Sequence, residues 1–462
     1  MLLFRHGSVS HACAFPTYAR SGEEAGGPGR GGAGREAQPQ RSKLPNLVEL
    51  RPRASTIGAV KAAQEGRTFR APAFLRVKPN PPSAAAELAA GRQLAPAVVC
   101  EVGWVNGLGA IRSLGRAGVP VVAVDHRDFA IGFRSAYAFP VSAPDPVVDE
   151  RGFIDSMVAL GDALGRPAPV FPTHDEHLNS LARHKDELGE RFRYPFPDWD
   201  VLEPLQSKRH QIDTAEALGL AAPRTLHPRS LEECRSAARE IGYPVLVKPS
   251  DNIIFKRLYR RQAFLCELPG ELDDAYSKAE PYEPMLQEFI PGGDELLWTL
   301  GAAIGRDGEV LATFSGHKLR QTRKNMGSAR VGEAVWDEEV VESGLALLKE
   351  LGFYGVAQVE WKRDPRDGRL KLIEVNPRLW QWHGLAGACG ADITLAAYWD
   401  LVGDRRPPKT TKGCSKRWAI SVMHGQSAAF NRPPYVDGVF AADDPKPGMV
   451  NVVRYALGAL GL

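Results

Sequence analysis

Two glutamates are set to face each other across one hairpin, an arrangement that demands a counter-charge. The run Val356-Ala357-Gln358-Val359-Glu360-Trp361-Lys362 is followed, past the turn signal Asp367-Gly368, by Leu370-Lys371-Leu372-Ile373-Glu374-Val375-Asn376-Pro377-Arg378. Closing the turn at Asp364 and Leu370 puts Glu360 opposite Glu374 and Gln358 opposite Asn376. Like charges opposed on a ladder are destabilising, and one carboxyl would be driven to keep its proton unless a cation lay between them. Mg²⁺, or Mn²⁺ in its place, suits such oxygen ligands, and Asn376 adds a neutral oxygen on the same face two residues past Glu374. Glu360, Glu374 and Asn376 therefore read as metal ligands, with Ile373 and Val375 burying the other face. A solvated hairpin face is the bland alternative.

At 462 residues the chain has room for two or three folded units. Its six cysteines (Cys13, Cys100, Cys234, Cys266, Cys389, Cys414) show no CxxC spacing, which argues against a zinc knuckle or a disulfide framework and for a reducing, cytoplasmic setting. No apolar run reaches the roughly 18–20 residues that cross a bilayer, so no membrane partner is expected. The net charge of +3 is unevenly spread: residues 1–95 hold 14 Lys and Arg against 6 Glu and no Asp, which leaves the remainder acidic. The body is thus no nucleic-acid surface. The glycine-dense run from Gly22 to Gly34, the prolines Pro79, Pro81 and Pro82, and the lack of an apolar period predict a disordered basic tail over 1–95. A targeting or regulatory role for that segment stays open.

From Pro96 the pattern changes. Ala97 to Val102 and Val119 to Val124 are buried-strand signals flanking a helix that Gly118 ends, and Pro169-Val170-Phe171 is a third strand. Thr173 and Glu176 then have capping-box spacing. Residues 96–203 read as a Rossmann-like α/β unit. Ser207 opens a helix that Gly219 ends, Ser230 and Glu233 repeat the capping box, and Tyr243 to Pro249 is a buried strand that delivers Lys248. With hairpins at Asp307-Gly308 and Asp367-Gly368 and an amphipathic helix from Asp337 to Leu351, residues 204–402 read as α+β; 403–462 follow as a C-terminal extension.

Glu360 followed by Ile373-Glu374-Val375-Asn376-Pro377-Arg378 resembles the metal-binding hairpin of the ATP-grasp enzymes. The likeness covers roughly residues 97 to 402 and looks nearest to the D-aspartate-ligase-like, carbamoyl-phosphate-synthase-like branch of carboxylate-amine ligases. It implies a Rossmann-like domain followed by an ATP-grasp fold of two α+β subdomains, with ATP and Mg²⁺ as cofactors. It also implies Lys208 and Lys248 on the nucleotide, Glu288-Phe289-Ile290 on adenine through the backbone, and Glu295 at the ribose hydroxyls. Lys318, Arg320 and Arg378 are fixed cations that suit a triphosphate and are the candidate catalytic residues. The implied activity is an ADP-forming ligation, in which a small-molecule carboxylate becomes an acyl-phosphate and an amine attacks it. A second copy of the chain is the one protein partner left open.

The segment from Ser250 to Arg261 departs from the family pattern, since it lacks the glycines of a phosphate-covering flap; Lys256, Arg257, Arg260 and Arg261 offer side-chain cations instead. Gly103, Gly107 and Gly109 before Asp125 resemble a dinucleotide fingerprint, but Arg112 stands where the third glycine belongs. That keeps an NAD(P)-dependent oxidoreductase, like a non-catalytic nucleotide-binding protein, as an alternative. His174 and His177 fit a capped helix start better than a metal site. Trp380, Trp382 and His383 either line an acceptor pocket or belong to the core.

Overall fold

The computed structural model describes residues 72–250, 252–323, 326–420 and 435–459. The expected tail lies outside the described residues as far as 71. Its last part does not behave as a tail, because Leu75 and Ala85 are buried and Leu88 and Ala89 pack on the core behind them. Arg134 and Arg166 hold this segment through the carbonyls of Arg76 and Arg92. A few apolar residues without a period suffice here, since the body supplies the surface they bury against.

The first sheet is parallel, in the order β3-β2-β1-β4-β5, from β1 (Ala97–Cys100), β2 (Val121–Asp125), β3 (Ala138–Ser142), β4 (Ala168–Pro172) and β5 (Phe192–Arg193). Its inner strands β1, β2 and β4 are buried along their whole length, as expected of a Rossmann-like unit. A Cβ at Gly107, in the helix Val105–Arg116, would come within 2.6 Å of the Glu101 carbonyl, so helix and strand touch backbone to backbone. Arg112 is buried at 4 % exposure and ion-pairs with Asp444 at 3.0 Å. The expected C-terminal extension is therefore built into the body, and Asp444 also takes the Ser135 hydroxyl.

A small antiparallel sheet, β6-β9-β7-β8, combines β6 (Thr225–Leu226), β7 (Val245–Lys248), β8 (Phe264–Cys266) and β9 (Met285–Glu288). The third, eight-stranded sheet runs β14-β13-β10-β11-β12-β16-β17, with β15 (Lys409–Thr410) pairing β11. Its other members are β10 (Leu297–Ile304), β11 (Val310–Arg323), β12 (Met326–Ala334), β13 (Gly355–Arg363), β14 (Leu370–Asn376), β16 (Arg417–Ala419) and β17 (Tyr435–Asp437). The last two come from the region expected to be an extension. One core joins Val98 and Phe153 of the first unit to Leu300 and Trp361 of the large sheet, and another joins Leu108 to Phe314 and Trp380. The small sheet keeps a core of its own around Val245, Phe255 and Leu286.

Helix caps follow the sequence in most places: the Ser207, Ser230 and Asp337 side chains accept from the backbone at His210, Glu233 and Val340. The Thr173–Glu176 box does not form. The Thr173 hydroxyl donates to the Glu101 carbonyl and Glu176 pairs with Arg257, so His174 caps the helix without a side-chain bond. Cys389 and Cys414 form a disulfide, against the expectation of a chain without one, on which the reducing setting rested; Cys100, Cys234 and Cys266 are free and buried. No helix among the described residues is long and apolar enough to cross a membrane.

Candidate active site

The hairpin β13–β14 carries the register read from its sequence, with Glu360 opposite Glu374 and Gln358 opposite Asn376. A bulge makes this possible. Nearer the turn Trp361 pairs with Leu372, so Ile373 is the extra residue of β14 and borders the cleft rather than lying on the far face. Because directly opposed residues share a face, Thr299, Lys318, Gln358, Glu360, Glu374 and Asn376 all belong to one side of the large sheet.

These side chains form one connected network. Lys318 Nζ lies 2.8 Å from each oxygen of Glu360, and Gln358 Nε2 donates to Glu360 Oε1 at 2.9 Å. Asn376 Nδ2 donates to Glu374 Oε1 at 3.1 Å, Lys208 Nζ lies 3.7 Å from Glu374 Oε2, and Arg378 donates to Asn376 Oδ1 at 3.2 Å. Burial would raise the Glu374 carboxyl, but Lys208, the Asn376 amide, Lys318 and Lys248 outweigh it and lower it to about 2. Arg378 is anchored from the first unit by Asp175, 2.9 Å from its Nη2.

The small sheet faces this surface across a cleft of about 200 Å³ and contributes Lys248, Lys256 and Gln287. Lys248, at the end of β7, donates to Gln287 Oε1 at 2.6 Å; burial, with Lys208 beside it, lowers its ammonium to about 7. The glycine-free segment is the helix Asn252–Tyr259, anchored by the buried Ile254 and Phe255. Of its expected cations, Lys256 reaches the cleft, while Arg257 turns away and bonds Asp145 and Glu176 of the first unit. Arg261 lies over the Phe264 ring.

Lys208, Lys248, Glu288, Phe289, Ile290, Lys318, Glu360, Glu374, Asn376 and Arg378 all border this one cleft. Arg320 and Glu295 do not. A register shift between Lys318 and Arg320 reverses the alternation, so Gln321 turns inward and Arg320 outward, where it shares a shallow surface pocket with the exposed Glu295. The Glu288 carboxylate is held by Lys371 and Arg366. The Glu288 and Phe289 amides bond the Arg224 and Pro244 carbonyls. Missed from the sequence were Gln358 and Lys362 as site residues, both legible from strand alternation with Glu360, and Asp175, which no local pattern marks. Lys362 crosses to the Ile290 carbonyl at 2.8 Å.

No family model matches the chain. It is 29 % identical over 250 residues to the D-aspartate ligase of Enterococcus faecium, covering 51 % of this chain and 58 % of that one. The biotin carboxylase of Campylobacter jejuni, solved with β,γ-ATP, superposes over 67 % of this chain and 72 % of its own with a TM-score of 0.55 and 16 % identity. The chain is thus similar to enzymes of the ATP-grasp superfamily. Its fold also matches the biotin carboxylase domain of the Hydrogenobacter thermophilus 2-oxoglutarate carboxylase, a dimer bound to MgADP and bicarbonate, with a TM-score of 0.54 and 20 % identity over 69 % of this chain and 72 % of that one. At such identities the two structures bear on fold alone. The chain spans little more than half of the ligase it matches.

Proposed function

We propose that this protein is an ADP-forming ligase of the ATP-grasp type that activates a small-molecule carboxylate as its acyl-phosphate for attack by an amine. The observation that carries the reading is the pairing of Glu360 with Glu374 beside Gln358 and Asn376, in a cleft that Lys208, Lys248, Lys256, Lys318 and Arg378 also border. Cations spread along both walls suit an extended polyanion such as a nucleoside triphosphate. The donor set fits a hard divalent ion: two opposed carboxylates, one held firmly ionised, and a carboxamide. Glu360, Glu374 and Asn376 would hold Mg²⁺ or Mn²⁺, which when bound supplies charge neutralisation to phosphate oxygens.

The chain's own residues would do the rest. Lys248 and Lys208 would bind phosphate, and Ile290 would meet the adenine. Lys318 would exchange its contact with Glu360 for the γ-phosphoryl oxygens, and Arg378, held in orientation by Asp175, would spread the charge that develops there. Arg320 and Glu295 have no part in this version, because both lie outside the cleft. A nicotinamide enzyme built on the first sheet is less well supported. Asp125, at the place of a ribose-binding acid, is occupied by Arg127 and the Gly103 amide. A screen of carboxylates against amines with Mg·ATP, read by ADP release and product mass, tests the proposal. Release of AMP and pyrophosphate, or no nucleotide turnover with any pair, would overturn it.

A further inference from the structure

Gly103 and Gly107, with Asp125 at the end of β2, look like part of a dinucleotide fingerprint, yet the turn between β1 and the helix Val105–Arg116 displays a tryptophan. Trp104 is 53 % exposed, and of the exposed large apolar side chains among the described residues it is the one that borders the cleft. A lone apolar residue on a surface is ordinary, but this one is held in place. Glu101, buried just after β1, adopts a left-handed backbone at φ +65°, which a residue with a side chain keeps only where its surroundings enforce it. It pairs with Arg127, whose guanidinium also takes both oxygens of Asp125, at 2.9 and 3.0 Å. Pinned in this way, Arg127 lies over the indole, 5.9 Å from the ring centroid. Glycine at 103 makes the room, since a Cβ there would fall 2.2 Å from Arg127 Nη2. The fingerprint-like residues thus serve as a mount for Trp104.

The first unit gives the cleft Trp104, Asn106 and His174, and no carboxylate among the described residues. Burial holds the His174 ring well below its usual pKa, so it is neutral, and it lies 6.5 Å from the indole. The next residue, Asp175, anchors Arg378. Trp104 therefore stands on the side of the cleft from which the Arg378 guanidinium is held. A cation laid on the indole would meet Arg127 and find no acid on this side. A flat uncharged ring suits the position, because aromatic faces gain from offset or edge-on contact beyond the area they bury. A carboxylate on the same molecule would find Arg378 and Lys256, which also border the cleft.

We propose that Trp104 determines specificity for the acid that is activated, and that this acid is a compact aromatic carboxylate whose ring lies on the exposed indole. The proposal rests on the ligase reading for the role of that acid in turnover, but not for its binding.

The test is calorimetric titration of the full chain, with and without a non-hydrolysable Mg·ATP analogue, using benzoate, phenylacetate and nicotinate. Cyclohexanecarboxylate and cyclohexylacetate match them in size without a flat ring, and benzamide keeps the ring without the charge. At least one aromatic acid is expected to bind about tenfold more tightly than its saturated counterpart and than benzamide, the scale of an aromatic contact added to a charge-assisted one. Trp104→Leu should erase the preference for the flat ring and Trp104→Phe should keep part of it, with the melting temperature unchanged in both. Binding of none of the aromatic acids in either condition, equal binding of the saturated acids, or an undiminished preference in Trp104→Leu would overturn the proposal. Mg·ATP and hydroxylamine separate the two readings, because an acyl-phosphate is trapped as its hydroxamate. Aromatic acids that bind without giving a hydroxamate would strike the ligase reading and leave the Trp104 assignment standing, whereas a hydroxamate from the saturated acids alone would do the reverse.

Discussion

The two walls of the cleft are built on different principles. The large-sheet wall shares its core with the first unit, carries the carboxylates, and ties its polar groups to one another within hydrogen-bond distance. The small-sheet wall has its own core, carries lysines, and is joined to the first unit by Arg257 pairing with Asp145 and Glu176. One wall is pre-organised as part of the body; the other is a separately packed piece held in place by charge. Chemistry that needs fixed geometry belongs on the first, and a surface that adjusts around a nucleotide belongs on the second.

That contrast can be broken most directly at Glu374. Glu374→Gln should lower ADP formation by on the order of 10²–10³-fold while circular dichroism stays native, since it removes one charged member of a rigid set. Retained turnover would mean the carboxylate pair is structural. On the other wall, Lys248→Met should act on binding: KM for ATP is expected to rise by about tenfold or more with a smaller change in kcat, as for loss of a charge-assisted contact. A kcat effect as large as that of Glu374→Gln would erase the distinction between the walls.

Arg257→Gln tests the tether. It leaves the Asp145 and Glu176 carboxylates without their guanidinium, and faster amide exchange is expected across β7 to β9 than in β13 and β14, with KM for ATP up several-fold. Uniform exchange over both sheets would show the small sheet to be an integral part of the body. The smallest effect is a proton. Lys248 is lowered to about 7 in the free cleft by burial and by Lys208, and phosphate would raise it again. Mg·ATP binding at pH 8 should therefore take up a fraction of a proton and weaken as pH rises through 7. Calorimetry in buffers of different ionisation enthalpy measures this, and identical heats would remove Lys248 from the phosphate site.

Much of the carboxylate wall was legible because β-structure has a period of two. Once the turn was placed, Glu360, Glu374, Gln358 and Asn376 followed, and a bulge at Ile373 preserved their register at the place where it matters. The same rule failed one strand over, where the irregularity between Lys318 and Arg320 has no signature in composition and sends Arg320 to solvent. The lysine at the end of β7 was legible as a strand end. The fate of the following segment was not: without glycines it could cover phosphate with side chains or fold away, and burial of Phe255 in the small core makes it a helix that offers Lys256 alone to the cleft.

By itself the sequence determined what local periodicity and turn chemistry reach: the parallel α/β unit, the antiparallel sheets, the helix caps at Ser207, Ser230 and Asp337, and the opposed carboxylates. Tertiary structure alone decided the partners that lie far apart along the chain. Asp175 holds Arg378 from 203 residues away, and Asp444 neutralises Arg112 from 332 residues away. Trp380 and Trp382 sit in the core while bordering the cleft, because glycines at 301 and 332, on two other strands, leave space for their rings. The physical reason is the same in each case: propensity and periodicity act over a few residues, whereas a buried charge or an unpaired donor is satisfied by whatever the fold brings next to it.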